Sequence, residues 1–261
     1  MKIIVCIKQV PDTTEVKLDP KTGRLIRDGV PSIINPDDKN ALEEALRIKD
    51  ENPDTTVTVV SMGPPQADVA MSEALAMGAD EAILISGREF GGSDTWATSY
   101  IIATAIKKIP DYDIIFCGRQ AIDGDTAQVG PQIAEQLNIP QITYVQKLDI
   151  EGDKVIVQRQ LEDGYTVVEA KMPVLLTAIK ELNTPRYMTP KGIFEAYNKT
   201  VQVWGFNDVP VDAEKIGLKG SPTNVNRTFS PEAKGKGIML EGADKETVKT
   251  LIAKLDEKHL L

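Results

Sequence analysis

Histidine is nearly absent: the 261 residues contain one, His259, the third from the carboxyl end. A zinc cluster or a histidine-based catalytic triad has almost no material here, so hydrolytic metal chemistry is set aside. Cysteine is scarce too. Cys6 and Cys117 stand far apart in apolar runs, neither in a C-x-x-C pair, which fits an intracellular protein with buried thiols and no disulfide. Basic charge is in deficit: 30 Lys and Arg against 39 Asp and Glu give a net charge of −9, with no basic run. That excludes a nucleic-acid or anionic-membrane surface as the expected partner and leaves proteins and small molecules. Long apolar windows are missing, and the run in "MKIIVCIKQV" is too short for a signal peptide. The expectation is a cytoplasmic chain with no membrane segment.

What is present is ordinary globular material, 41% hydrophobic and 26% charged, enough for one large core and a smaller appended unit. Four short β-branched runs, "KIIVCIKQ" (2–9), "TTVTVVSM" (55–62), "EAILIS" (81–86) and "YDIIFCG" (112–118), read as strands of a parallel sheet buried on both faces. Each precedes a helical pattern. "DDKNALEEALRIKDE" (37–51) aligns Ala41, Leu42, Ala45, Leu46 and Ile48; the next pattern runs from Pro65 to Gly78; a third opens on Asp94 as a cap. Successive βα units predict an α/β fold with a doubly wound, mostly parallel sheet. Ligands of such sheets lie outside the carboxyl ends of the strands, where strand order reverses.

The first crossover is long, residues 10–36, with a β-hairpin expected around Lys21-Thr22-Gly23. Past residue 140, strand-like segments with turns at Gly152 and Gly164 predict a β-hairpin extension. Residues 206–236 are rich in Pro, Gly and Asn, and the closing pattern at 244–261 has one apolar face. The expected division is a nucleotide-binding domain at 1–205 and, at 206–261, a C-terminal arm packing on a partner chain. A tail folded back on its own domain fits the same pattern.

The stretch "CGRQAIDGDTAQVG" (117–130) leaves a buried strand and enters a helix whose stripe is Val129, Ile133 and Leu137. Gly124 is expected to take a conformation closed to other residues and to let backbone approach a ligand. Pro131 marks the first helical turn or a kink, and N–H groups from Asp125 to Val129 lack intrahelical acceptors, so they can point at phosphate oxygens. Asp123 and Asp125 must then turn away, bonding their own loop, with Arg119 balancing charge and Gln120, Thr126 and Gln128 offering neutral hydrogen bonds. A tight turn with no ligand uses the same residues. "GGSD" (91–94) resembles the phosphate loop of ATP pyrophosphatases only weakly, and Asp94 is better read as a helix cap.

Taken together, "CIKQVPDT" (6–13), "DGVPSIINPDD" (28–38), "EALAMGADEA" (73–82), "GRQAIDGDTAQVGP" (118–131) and "KMPVLLTAIKELNTPRYMTPKGI" (171–193) resemble the β subunits of electron transfer flavoproteins, in order and at family-like spacing. The resemblance implies an adenine nucleotide α-hydrolase-like domain paired with an α subunit that carries its own FAD. The positions matching the nucleotide-contacting motifs are Cys6, the segment Asn35, Pro36, Asp37 and Asp38, then Met62, and the run Gly118, Arg119, Gln120, Ala121, Ile122, Asp123, Gly124, Asp125, Thr126, Ala127, Gln128 and Val129.

Ordinary members hold a structural AMP there. "DGDTAQVGP" and "KQVPDT" are similar to the electron-bifurcating members, whose β subunit binds a second FAD. By that resemblance NADH delivers a hydride to this FAD; one electron passes to ferredoxin or flavodoxin and the other, through the α-subunit FAD, to an acyl-CoA dehydrogenase. The flavin carries the chemistry, so no catalytic side chain is nominated. Arg88 and Phe90 could line a nicotinamide site by position, although a surface arginine and a core phenylalanine fit as well. "NTPRYMTPKGIFEA" (183–196) resembles the segment that meets the dehydrogenase, with Pro190 where ordinary members often carry leucine. A nucleotide-binding regulatory module without a redox role is the reading from another class.

Overall fold

The computed structural model describes residues 1–12, 31–226, 235 and 237–261. The hairpin expected around Lys21-Thr22-Gly23 lies outside them. The chain opens with β1 (Lys2–Cys6), β2 (Gln9–Pro11), β3 (Ser32–Ile34) and α1 (Pro36–Glu51), then β4 (Thr56–Met62), α2 (Asp68–Met77) and β5 (Glu81–Ile85). It continues through α3 (Thr95–Ile106), β6 (Ile114–Gly118), α4 (Val129–Leu137), β7 (Gln141–Glu151), β8 (Lys154–Gln160), β9 (Tyr165–Lys171) and β10 (Val174–Ala178). The remaining elements are α5 (Pro190–Ala196), β11 (Gln202–Trp204), α6 (Gly217–Gly220) and α7 (Lys245–Glu257).

The central sheet has nine strands in the order β11-β5-β4-β1-β6-β10-β7-β8-β9. Every neighbouring pair from β11 to β7 is parallel, and β8 and β9 continue the sheet as the antiparallel extension. The α/β doubly wound expectation therefore holds. Alternation along each inner strand divides the core in two. Ile3, Val5, Ile114 and Phe116 face α1 and α2, while Ile4, Cys6, Ile115 and Cys117 face α3 and α4. Burial on both faces is why these strands read as unbroken apolar runs.

From β1 the chain moves outward to β4 and β5, then returns across β1 to β6. The order reverses between β1 and β6, so their carboxyl ends frame the crevice that the doubly wound rule designates. β10 comes back from the hairpin extension to lie between β6 and β7, closing that side. This placement does not follow from the hairpin pattern, because it depends on pairing partners distant in sequence.

The contacts group Met1–Val225 as one compact unit and Asn226–Leu261 as another. The boundary expected at 205 falls inside the first. Val209 and Ile216 are buried beside α3, and the backbone N–H and hydroxyl of Thr223 both donate to Asp94 Oδ2 (2.9 and 2.7 Å). Ending the chain after Val225 is expected to leave the thermal midpoint of the first unit within a few degrees. Ending it after residue 205 exposes the surface that Val209 and Ile216 cover and should cost about 3–6 kcal/mol, from two aliphatic side chains at about 1.5–3 kcal/mol each. Denaturant titration of the two truncated chains reads the difference.

Candidate functional site

Asn35 and Asp38, both buried, hold the crevice together from the first turn of α1. Pro36 starts the helix, its missing N–H costing nothing at that position. Asp38 then reaches over both strand ends: Oδ2 accepts the Lys8 N–H (2.7 Å) just past β1, and Oδ1 accepts the Gly118 N–H (2.9 Å) at the end of β6. Gly118 has no room for a side chain, since a Cβ there would lie 2.2 Å from Asp38 Oδ1. Asn35 does not cap its own helix. Its Nδ2 donates to the Gln120 carbonyl (2.8 Å) and its Oδ1 accepts the Ile122 N–H (3.0 Å), pinning the loop after β6 to the start of α1.

The loop 119–128 leaves this clamp and arches to α4. Arg119 N–H donates to the Ala178 carbonyl (2.9 Å), tying the loop root to β10. The N–H groups of Gly124 and Asp125 both close on the Ala121 carbonyl (3.1 and 2.9 Å). The left-handed residues are Asp125 (φ 49°) and Ala127 (φ 52°), whereas Gly124 is outside that region and would meet nothing within 4 Å of an added Cβ. The expectation that Gly124 supplies the special conformation is corrected: the turn is made by Asp125, which tolerates it, and by Ala127, which is held in it at about 1–3 kcal/mol.

The carboxylates of the loop turn away as charge requires. Asp123 Oδ1 pairs with Lys8 Nζ (2.6 Å), and Asp125 Oδ1 accepts from Gln120 Nε2 (2.8 Å). Asp37 Oδ2 lies 3.3 Å from Arg119 Nε, out of line for a hydrogen bond, so this buried donor has no partner among the described residues. Of the N–H groups expected to be free, that of Asp125 is taken by the Ala121 carbonyl; those from Thr126 to Gly130 donate to nothing among the described residues, the last two opening α4 without a side-chain cap. Within this row Thr126 and Gln128 are exposed, Ala127 and Val129 half-buried and Gly130 buried, so it runs from the surface into the protein. Donors in such a curve, at a helix start, suit anionic oxygens.

Cys6 ends β1 opposite Cys117 in β6, both buried, and Met62 ends β4 half-buried beside them. Cys6, Met62 and the segments 35–38 and 118–129 thus converge on one rim. Phe90 does not join them: it is a core residue whose ring packs 6.5 Å from that of Phe206, while Arg88 is exposed. Asp94 caps α3, accepting the Ala97 N–H (2.9 Å), as the cap reading has it. The residue missed in sequence is Lys8, whose only signal is a cation two positions past a strand end. A groove of about 1070 Å³ lies at the opposite ends of the strands, lined in part by Met1, Arg47, Thr55 and Lys147, and contains none of the expected residues.

Residues 22–209 match the electron transfer flavoprotein domain family. The chain is 62% identical to an electron transfer flavoprotein subunit beta of Thermoanaerobacterium thermosaccharolyticum, with 100% of both chains covered. It is 58% identical to subunit CarD of the caffeyl-CoA reductase–Etf complex of Acetobacterium woodii, again over 100% of both. A third relative, the acryloyl-CoA reductase electron transfer subunit gamma of Anaerotignum propionicum, is 53% identical at the same coverage.

Burial raises the carboxyl of Asp38 to about 7, against the N–H bonds from Lys8 and Gly118 that favour its ionised form. Burial also raises Asp37, with Arg119 pulling the other way. Hydrogen bonding with Cys6, with burial added, pushes the Cys117 thiol well up. A carboxyl whose folded value lies above its unfolded one stabilises most at low pH, and that contribution is lost as pH rises from about 4 to about 7. Asp38→Asn sets an NH2 group against one of the two N–H donors and should cost about 1–3 kcal/mol. The wild-type advantage over this variant, measured by urea unfolding, is expected to be larger at pH 5 than at pH 8.

Proposed function

The chain belongs to the electron transfer flavoprotein β subunits, which work as heterodimers with an α subunit, and from that premise we propose that it holds FAD across the crevice over β1 and β6 as part of a bifurcating carrier. The electron donor is NADH. The acceptors are ferredoxin or flavodoxin and, through the FAD of the α subunit, an acyl-CoA dehydrogenase or reductase. The observation that carries this reading is the row of N–H groups from Thr126 to Gly130 without a partner among the described residues, at the start of α4. A diphosphate suits that donor set, and Gly124, with nothing within 4 Å of an added Cβ, leaves room for the rest of a dinucleotide.

Bound there, FAD would supply the redox chemistry. The residues of this chain bind and orient. Asp38 fixes the spacing of the β1 and β6 ends, Asn35 fixes the loop against α1, and the Lys8–Asp123 pair removes a negative charge from the phosphate side. One relative is named as a subunit of a caffeyl-CoA reductase–Etf complex and another as an acryloyl-CoA reductase electron transfer subunit, which supports an acyl-CoA oxidoreductase as partner. Residues 183–199 supply its docking face, with Tyr187, Phe194 and Tyr197 directed outward. In the second unit, α7 exposes Val248, Leu251 and Ile252 at helical spacing, and this arm packs on the α subunit.

Counting cofactors in the purified heterodimer tests the assignment. Two FAD and no AMP are expected; one FAD with one AMP would return the β site to the ordinary carriers, and no flavin would end the redox reading. Gly124→Val meets no clash within the protein itself, so it should leave the fold intact and release the β-site nucleotide. Unchanged nucleotide content would remove the loop from the site. Deleting residues 226–261, which spares the compact unit, should abolish copurification with the α subunit; a tight heterodimer without them would refute the arm.

A further inference from the structure

The segment that follows β10 has two contrasting sides. Tyr187 is 95% exposed, Tyr197 85% and Phe194 75%, with no covering group from the compact unit. The opposite side is fastened to α1 and α2 by polar contacts. Arg186 makes the densest set: Nε and the backbone N–H both donate to Glu43 Oε2 (2.8 and 3.0 Å), and Nη2 donates to Glu43 Oε1 (3.0 Å) and Asp50 Oδ2 (2.8 Å). Glu43 is a buried residue of α1, so a single guanidinium satisfies its whole carboxylate. Asn183 adds a second fastening one turn away, donating to the Asn40 carbonyl (3.0 Å) and Glu44 Oε2 (2.8 Å). Farther on, Lys199 Nζ donates to the Ala79 carbonyl (2.6 Å), and Gly192 rests so close to α2 that a Cβ would lie 2.2 Å from the Ala76 carbonyl oxygen.

Three exposed aromatic side chains on a short helix and its flanking loops do not hold a common face by their own packing. Among the described residues α5 buries none of its side chains, and its cap is the Thr189 hydroxyl accepting the Gly192 N–H (3.0 Å). What fixes the backbone direction at Tyr187 is the residue before it. The proposal rests on the reading of residues 183–199 as the docking face for an acyl-CoA dehydrogenase or reductase. We propose that Arg186 is a positioning residue for that face: its fork to Glu43 and Asp50 presets Tyr187 and the start of α5 in the orientation the partner binds. A lysine cannot replace it, because one ammonium does not span two carboxylates with the same planar geometry.

The experiment uses the flavin-loaded heterodimer and a purified short-chain acyl-CoA dehydrogenase as electron acceptor. Without the fork the competent orientation is populated only part of the time, and apparent affinity falls by that fraction. Arg186→Gln is expected to raise KM for the carrier about tenfold, leave kcat within about twofold and the flavin content unchanged, and speed amide exchange in 184–189 by at least about tenfold. Arg186→Lys should recover less than half of the effect. Since removing one partner strands a buried charge, the double variant Arg186→Gln with Glu43→Gln carries the same test with the charge removed, and should be no worse than Arg186→Gln alone. An unchanged KM overturns the proposal whatever the exchange shows. A raised KM with unchanged exchange also overturns it, because Arg186 would then touch the partner itself. Tyr187→Ala with Phe194→Ala separates the premise: if that variant leaves KM unchanged, the docking face is wrong, and if it raises KM while Arg186→Gln does not, only the positioning role is wrong.

Discussion

The carboxylate of Asp38 joins the two strands between which the sheet reverses. It accepts one N–H from beyond β1 and one from the end of β6, so a side chain replaces the ladder bonds those groups would otherwise seek. Because that side chain comes from the first turn of α1, the helix cannot shift without disturbing both strand ends. Gly118 makes the close approach possible, and Pro36 starts the helix where the approach requires it. The crevice is therefore a consequence of one buried acid and one absent Cβ, and the loop above it is held by the neighbouring Asn35.

The same helix carries the other surface of interest. Its first turn grips the loop after β6, and its next turns, through Asn40, Glu43 and Glu44, grip the segment after β10. Polar residues on a helix face are usually solvated, and "LEEALRIKDE" invites that reading. Here Glu43 and Glu44 are buried by what they hold, an arginine and an asparagine from far along the chain. On the proposed reading, the cofactor crevice and the docking face are thus both referenced to α1, which holds their separation.

Much of this architecture was legible in the sequence because parallel strands buried on both faces leave unbroken apolar runs, and their helices leave a period and caps. The loop at 118–130 was legible for a related reason: a strand end followed by small and polar residues before a proline-bearing helix start is a local signal. What stayed hidden depends on distant residues. The insertion of β10 between β6 and β7 is a pairing choice across the hairpin extension. The Lys8–Asp123 ion pair spans the switch point, and neither residue carries a mark of the other. Gly124 drew attention as the permissive residue, yet Asp125 and Ala127 make the turn, since backbone held by Asn35 and by the Ala121 carbonyl overrides local preference. For residues 206–225 the sequence left a partner arm and a tail folded back on its own domain equally open; Val209 and Ile216 are buried on the α3 side of the core, a contact with residues distant in sequence.

A chain with a net charge of −9 raises a question about any anion site. The loop answers it by cancelling its charges internally: Asp123 against Lys8, Asp37 against Arg119, Asp125 within a hydrogen bond from Gln120. What is left without a partner among the described residues is peptide N–H, at a helix start equivalent to roughly half a positive charge and acting over one turn. Amides do not titrate and hold a fixed direction, whereas lysine heads are mobile and screened by salt within about 10 Å. On the proposed reading, recognition of the diphosphate belongs to the backbone, and the two left-handed residues are what aim it. The strain at Ala127 is then part of the site, because a relaxed backbone at that position would turn the amides that follow it away from the crevice.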